Sequence, residues 1–169
     1  MPLFFGFCRW LQQTFIGTHM HQSVWLFPVV EALHILLGTV PLVMATTILN
    51  ARLLGWALRE VPVSELARRA LPWAWAGFAV QMITGVLLFS ADATKYADTH
   101  IFYIKMLLIL LAGTNALVFN RTTYCSVSTW DTSSSPPLAA KLMGFVSLIL
   151  WLGVVVMGRV LNSAVTLVQ

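Results

Sequence analysis

Charge is what this chain has least of. Only 9% of its 169 residues are Asp, Glu, Lys or Arg, where a water-soluble domain carries roughly a quarter. Most of the surface therefore cannot face water, and with a mean hydropathy of +0.82 the chain reads as an integral membrane protein. Cysteine is nearly absent too. Cys8 and Cys125 stand far apart with no CxxC or CxxH setting, which excludes a disulfide framework, a zinc knuckle and covalent haem attachment. No repeat, P-loop, dinucleotide fingerprint or protease motif occurs, and no separate soluble segment is long enough to hold one. The net charge of +4 does not point to nucleic acid, because the basic residues cluster beside apolar runs as the positive-inside rule describes. The N-terminus lacks a positive leader and Arg9 breaks its apolar run, so it is no persuasive signal peptide.

What is present is four apolar runs, each able to cross a hydrocarbon core, which takes about 20 helical residues. The pattern predicts spans at Val24–Leu49, Leu71–Ala91, Ile101–Asn120 and Leu138–Leu161, with Trp25, Trp73, Trp75, Tyr103 and Tyr124 as interfacial aromatics. Short connections make these an all-α, up-down four-helix membrane bundle, a single transmembrane domain over residues 1–169. Within it, residues 1–22 form a short interfacial helix ahead of the first span, apolar at Phe4, Phe5, Leu11 and Phe15 and polar at Arg9, Gln12 and Thr18. Arg52, Arg59, Arg68 and Arg69 in the first loop, with Arg121 and Lys141 around the third, orient both loops toward the cytoplasm. Both termini and the 92–100 loop then face the periplasm.

Inside this apolar frame a few ionisable residues stand out, and such residues are functional suspects because lipid gives them no partner. Glu31 and His34 share a stripe of span 1 with Phe27, Gly38 and Pro41. At 1.5 Å per residue His34 sits about 15 Å below the outer surface, near the depth of Gln81 on span 2. Gly77, Gln81, Thr84 and Gly85 form a small, polar stripe on that second span. Lys105 lies near the outer end of span 3, Arg159 near that of span 4, and His19, His21 and His100 at the outer rim. The strongly polar membrane residues thus gather in the outer half, Asn115 and Asn120 excepted. An imidazole, a glycine one turn away to clear space, and nearby cations for propionates are what a histidine-ligated haem b requires. On that reading His34 is the iron ligand and Glu31, Gly38, Gln81, Lys105 and Arg159 surround the group. The alternatives are structural: Glu31 and Lys105 could neutralise each other, His34 could bond only to Gln81 or Glu31, and Arg159 could reach for the interface. The triplet His19-Met20-His21 also offers a compact donor set for copper, with His34 and His100 as further metal candidates.

The segments ALHI (Ala32–Ile35), ARLLG (Ala51–Gly55) and FYIKMLLILLAGTNALVFNR (Phe102–Arg121) resemble a group of small bacterial four-helix membrane proteins. One branch, an uncharacterised family, is similar over most of the chain through S-x-WLFP-x-x-E-x-x-H, beginning at Ser23, and PVSELARR-x-LPW-x-WAGF, beginning at Pro62. More distant resemblances are to CopD-type copper-resistance proteins and to HemJ-type protoporphyrinogen oxidases of the inner membrane. The HemJ resemblance implies a haem-ligand role for His34 and a functional role for Lys105. The chain departs from that type after the Arg-Leu step, where Leu53-Leu54-Gly55-Trp56 replaces a region with a further histidine. A five-coordinate haem is left open, as is a second axial ligand from a rim histidine, Met82, Met106 or another subunit. The expected function is a b-type haem redox subunit passing electrons between a periplasmic partner and quinone or another membrane protein. Copper handling and a non-catalytic membrane anchor are the alternatives, and a protein partner or homo-oligomer in the bilayer is expected in each case.

Overall fold

A computed structural model describes residues 2–133 and 135–166, and its regular elements are all helical among those residues. Two short helices, α1 (Pro2–Gln13) and α2 (Phe15–Gln22), precede the first span. That span runs from Leu26 to Leu54 as α3 (Leu26–Leu33), a π-helical stretch (His34–Thr39) and α4 (Val40–Leu54). Then follow α5 (Val63–Ala91), the short α6 (Ala93–Asp98), α7 (His100–Thr122) and α8 (Leu138–Thr166). Four of these helical stretches are long and apolar enough to cross a membrane. Their outward faces are bare Leu, Ile and Val, with Leu110, Leu152 and Ile83 each about two-thirds exposed, which is the surface that lipid covers.

The spans outrun the expected boundaries at the arginine-rich end, and electrostatics explains why. Helix α5 begins at Val63 rather than Leu71 because Glu65 in its first turn draws in Arg68 (2.5 Å) and Arg69 (2.6 Å), so charged residues extend the helix past the apolar run. Asp131 caps the same helix from the opposite loop. Its carboxylate accepts the Ser64 amide at 2.8 Å and the Ser64 hydroxyl at 2.6 Å. Span 1 continues beyond Leu49 because Arg52, expected in an exposed loop, is fully buried. It donates to the carbonyls of Val61 (2.8 Å), Asp131 (3.3 Å) and Ser133 (3.0 Å), tying both arginine-end loops to one side chain. Gly55 then stops the helix in the left-handed region, φ 73°, a conformation that costs glycine nothing.

The spans pack in the order α5, α3–α4, α8, α7, with α5 also against the π-helical stretch. Helices α5 and α7 touch where Phe89, near the end of α5, stacks on Phe102, near the start of α7, at 5.1 Å. The closest crossing is between spans 1 and 2. A Cβ on Gly77 would stand 2.7 Å from the Gly38 carbonyl oxygen and 2.8 Å from the Leu42 nitrogen, so only glycine permits that approach.

The N-terminal segment is two helices rather than one. Thr14 breaks it, donating to the Leu11 carbonyl at 2.6 Å and accepting from the Gly17 amide at 3.2 Å. The segment is anchored, not merely adsorbed. Gln12 donates to the Ala91 carbonyl (3.3 Å) and accepts from Thr94 (2.8 Å), and Cys8 is buried between Ala93 and Ala97. Its outward side keeps Leu3, Phe7 and Trp10 exposed, as an interfacial helix requires.

Candidate functional site

The π-helical stretch starts at His34 and ends just before Pro41, and the proximity has a cause. Proline has no N–H to offer the carbonyl four residues back and its ring crowds that carbonyl, so the preceding turn is already poor in regular bonds. Single π turns of this kind recur at functional positions. Side chains occupy the loosened backbone: Thr39 Oγ1 donates to the His34 carbonyl at 3.2 Å, Gln81 Nε2 donates to the same oxygen at 3.3 Å, and Gln81 also bonds the Thr39 hydroxyl. Gln81 therefore fixes the backbone of His34, not its ring.

The ring is fixed by Thr84. Its hydroxyl donates to the Val80 carbonyl at 2.5 Å and lies 2.7 Å from His34 Nδ1. A hydroxyl has one proton. With that proton on Val80, the bond to His34 must run the other way, from Nδ1–H to the threonine oxygen. The neutral imidazole then carries its lone pair on Nε2. A nitrogen lone pair held in position by a hydrogen bond at the opposite ring nitrogen is the arrangement that metal-ligating histidines use. Gly85 lies beside the ring, with room for a Cβ no nearer than 3.5 Å to Cε1.

Two residues expected around this histidine behave differently from the expectation. Gly38 does not clear a space for a flat group, because Gln81 Cγ already stands 3.0 Å from where its Cβ would be. Arg159 is exposed on the outside of α8 and does not turn into the bundle. Lys105 does turn inward. It is half-buried on α7, its ammonium lies over Gly158, 3.3 Å from the position of a Cβ there, and its charge acts on His34. No ion pair joins it to Glu31 among the described residues. Glu31 instead accepts a hydrogen bond from Asn162 of α8 at 2.7 Å. His34, Gln81 and Lys105 thus belong to one interior region, and Glu31 to a second polar cluster above it.

The copper candidates separate. Met20 is buried against Val30 and Ala91, His19 stacks on Phe15 at 4.0 Å, His21 Nδ1 faces Asp92 at 3.4 Å, and His100 is exposed at the start of α7. No group of three or more His, Cys, Asp or Glu side chains among the described residues is placed to hold a metal ion. Three contributors escaped the sequence reading: Asn162, Asp92 and Tyr96. Asp92 also holds Lys95 at 3.3 Å. Tyr96 is buried on α6, and burial, with the charges of Asp92 and then Glu31, pushes its phenol up to about 12, so it stays protonated. Asp92 and Tyr96 gave little signal because they lie in the connection between α5 and α7, where polar residues are ordinary, and Asn162 because it falls one residue beyond the expected end of span 4, inside α8.

With this geometry in hand, the comparison with known families can be stated: one family matches residues 6–164, nearly the whole chain, and so takes in α3 to α7 complete. The chain belongs to DUF6644, a family of unknown function. No curated protein and no solved structure matches it. Membership in DUF6644 thus extends over both polar clusters but assigns no chemistry to either.

Proposed function

We propose that this DUF6644 protein is a redox subunit of the bacterial inner membrane that holds a b-type haem through His34 and passes electrons between a periplasmic partner and quinone or another membrane protein. The observation that carries the proposal is the pair of contacts at the Thr84 hydroxyl, 2.5 Å to the Val80 carbonyl and 2.7 Å to His34 Nδ1; an Nδ1–H donor in that arrangement leaves the Nε2 lone pair positioned in an apolar bundle. The residues present fit such a group in three respects. A neutral, oriented imidazole is the usual protein ligand of haem iron. The inward ammonium of Lys105 has no carboxylate partner among the described residues and would balance a propionate. The small residues Gly85 and Gly158 flank the two side chains. A bound haem would supply the one-electron carrier; the protein orients the imidazole, supplies the counter-charge and keeps water out. Burial of an uncompensated ammonium in hydrocarbon is costly, so Lys105 has a reason to face an anionic group there. Periplasmic termini follow from the arginines at the opposite end. The donors at the N-terminal face diverge, so copper handling has no comparable support. The test is a reduced-minus-oxidised visible spectrum of protein purified from membranes supplied with haem, with iron and copper measured on the same sample. Bands of a b-type haem with iron near one per chain are expected. Stoichiometric copper, or neither metal, would reject the proposal.

A further inference from the structure

The first helix and α6 enclose a cleft that lies apart from His34. Cys8 of α1 is buried between Ala93 and Ala97 of α6, and the Thr94 hydroxyl donates to Gln12 at 2.8 Å, so the two helices are held at a fixed separation. Beside these contacts they leave a cleft of about 340 Å³, lined by Phe5 and Arg9 of α1 and by Thr94, Lys95 and Asp98 of α6. That size falls within the range of small-ligand sites, about 300–1,000 Å³. Arg9 stands one helical turn beyond Phe5, and Asp98 one turn beyond Thr94, so the two walls carry charges of opposite sign. Lys95 already has a partner, Asp92 at 3.3 Å. Arg9 and Asp98 are exposed, and neither has an ion pair among the described residues although both line the same cleft. The level of the cleft follows from α1. Its Leu3, Phe7 and Trp10 are exposed, and an apolar helix face of this kind lies at the boundary of headgroups and acyl chains.

We propose that this cleft binds the headgroup of a zwitterionic phospholipid with a primary amine, phosphatidylethanolamine, with its phosphate at Arg9 and its ammonium at Asp98. The guanidinium offers paired N–H donors that match two phosphate oxygens, and Lys95 adds positive charge from the facing wall. The ammonium donates to the Asp98 carboxylate. Thr94 has spent its proton on Gln12, so its oxygen is left as an acceptor as well. Phe5 supplies apolar contact for the glycerol ester region. The charge pattern discriminates among lipids. A choline headgroup has no N–H to give Asp98. A glycerol headgroup has no positive charge, and its phosphate would face that carboxylate without compensation. The assignment is independent of any group at His34.

The test is native mass spectrometry of the full-length protein, released from detergent after equilibration with an equimolar mixture of dioleoyl phosphatidylethanolamine, phosphatidylcholine and phosphatidylglycerol. One retained phosphatidylethanolamine is expected, favoured over each of the other two by about fivefold, the upper end of what a solvent-exposed charge pair contributes. Asp98→Asn should bring phosphatidylethanolamine level with phosphatidylcholine, and Asp98→Glu should keep the preference. Arg9→Gln should weaken retention of all three lipids, whereas Arg121→Gln, an exposed arginine at the opposite end of α7, should change nothing. Equal retention of phosphatidylethanolamine and phosphatidylcholine by the wild type, a preference that survives Asp98→Asn, or a preference for phosphatidylglycerol would overturn the assignment.

Discussion

Replacing Thr84 by valine removes the hydroxyl that holds the His34 ring while nearly preserving shape. The wild-type hydroxyl makes two bonds, 2.5 Å to Val80 O and 2.7 Å to His34 Nδ1. A carbonyl inside a helix already has its backbone partner, so losing the first bond costs little. Losing the second leaves a half-buried N–H without an acceptor, a penalty of about 1–3 kcal/mol. The imidazole can escape that penalty by moving its proton to Nε2 or by rotating away from Thr84, and either move takes the lone pair from the direction in which it is needed. Removing such an orienting partner typically weakens metal binding about 10–100-fold, which is about 1.4–2.7 kcal/mol. The assay is titration of apo-protein in detergent with haem, followed by absorption, for wild type, Thr84→Val and Thr84→Ser. Serine keeps the hydroxyl and should bind within about threefold of wild type, whereas valine should fall by at least the tenfold lower bound. Equal affinity for valine and wild type would refute the argument from bond direction. Equal loss in serine and valine would refute it as well, because the effect would then belong to the methyl group and its packing.

Four further outcomes are expected. Gly77→Ala forces a Cβ to within 2.7 Å of the Gly38 carbonyl oxygen and should destabilise the bundle by about 1–3 kcal/mol; Gly113→Ala, with nothing within 4 Å, should be neutral or stabilising by up to about 1 kcal/mol, both read from thermal unfolding in detergent. Arg52→Met should cost about 3 kcal/mol or more, since three carbonyls lose a charged donor, and the loops at residues 55–62 and 131–133 should become susceptible to proteolysis. Burial tends to raise the carboxyl of Asp131, but the Ser64 hydroxyl, the Ser64 and Val63 amides and the charge of Arg52 together hold it below the usual carboxylate range. Its stabilisation is thus present above the ordinary aspartate value and lost as pH falls through the lowered one, so the gap in unfolding temperature between wild type and Asp131→Asn should close only in acid. For topology, Cys125 is exposed and Cys8 buried: an impermeant maleimide should reach Cys125 only from the cytoplasm, and a cysteine at the exposed Asp98, in a chain lacking the other two, only from the periplasm.

The bundle was legible in the sequence because lipid imposes a length on apolar runs, and four runs of that length leave little choice of fold. The His34–Gln81–Thr84 neighbourhood was legible for a related reason. Polar residues at helical spacing on two spans at one depth must face each other, since neither can face lipid. The handedness of the bonds was not legible. That Thr84 rather than Gln81 holds the imidazole depends on the π-helical stretch at His34–Thr39, which shifts the facing residues within a turn and which only Pro41 hinted at. Arg52 shows the converse limit. Counted as a loop cation for the positive-inside rule, it is buried and bonded to three loop carbonyls, and nothing in a single sequence separates a snorkelling arginine from a loop-locking one. Gly38 was assigned to a ligand's clearance when the facing Gln81 fills that space, because spacing reveals a gap but not what occupies it.

The central claim, that His34 Nε2 is the protein's ligand to haem, is tested most directly by His34→Gly with imidazole added back. Removing the side chain should abolish haem binding in protein that still folds and extracts as wild type does. Free imidazole, which can enter the space left behind and offer the same nitrogen, should then restore the reduced spectrum in proportion to its occupancy. Haem retained at the wild-type stoichiometry in His34→Gly without imidazole would contradict the claim.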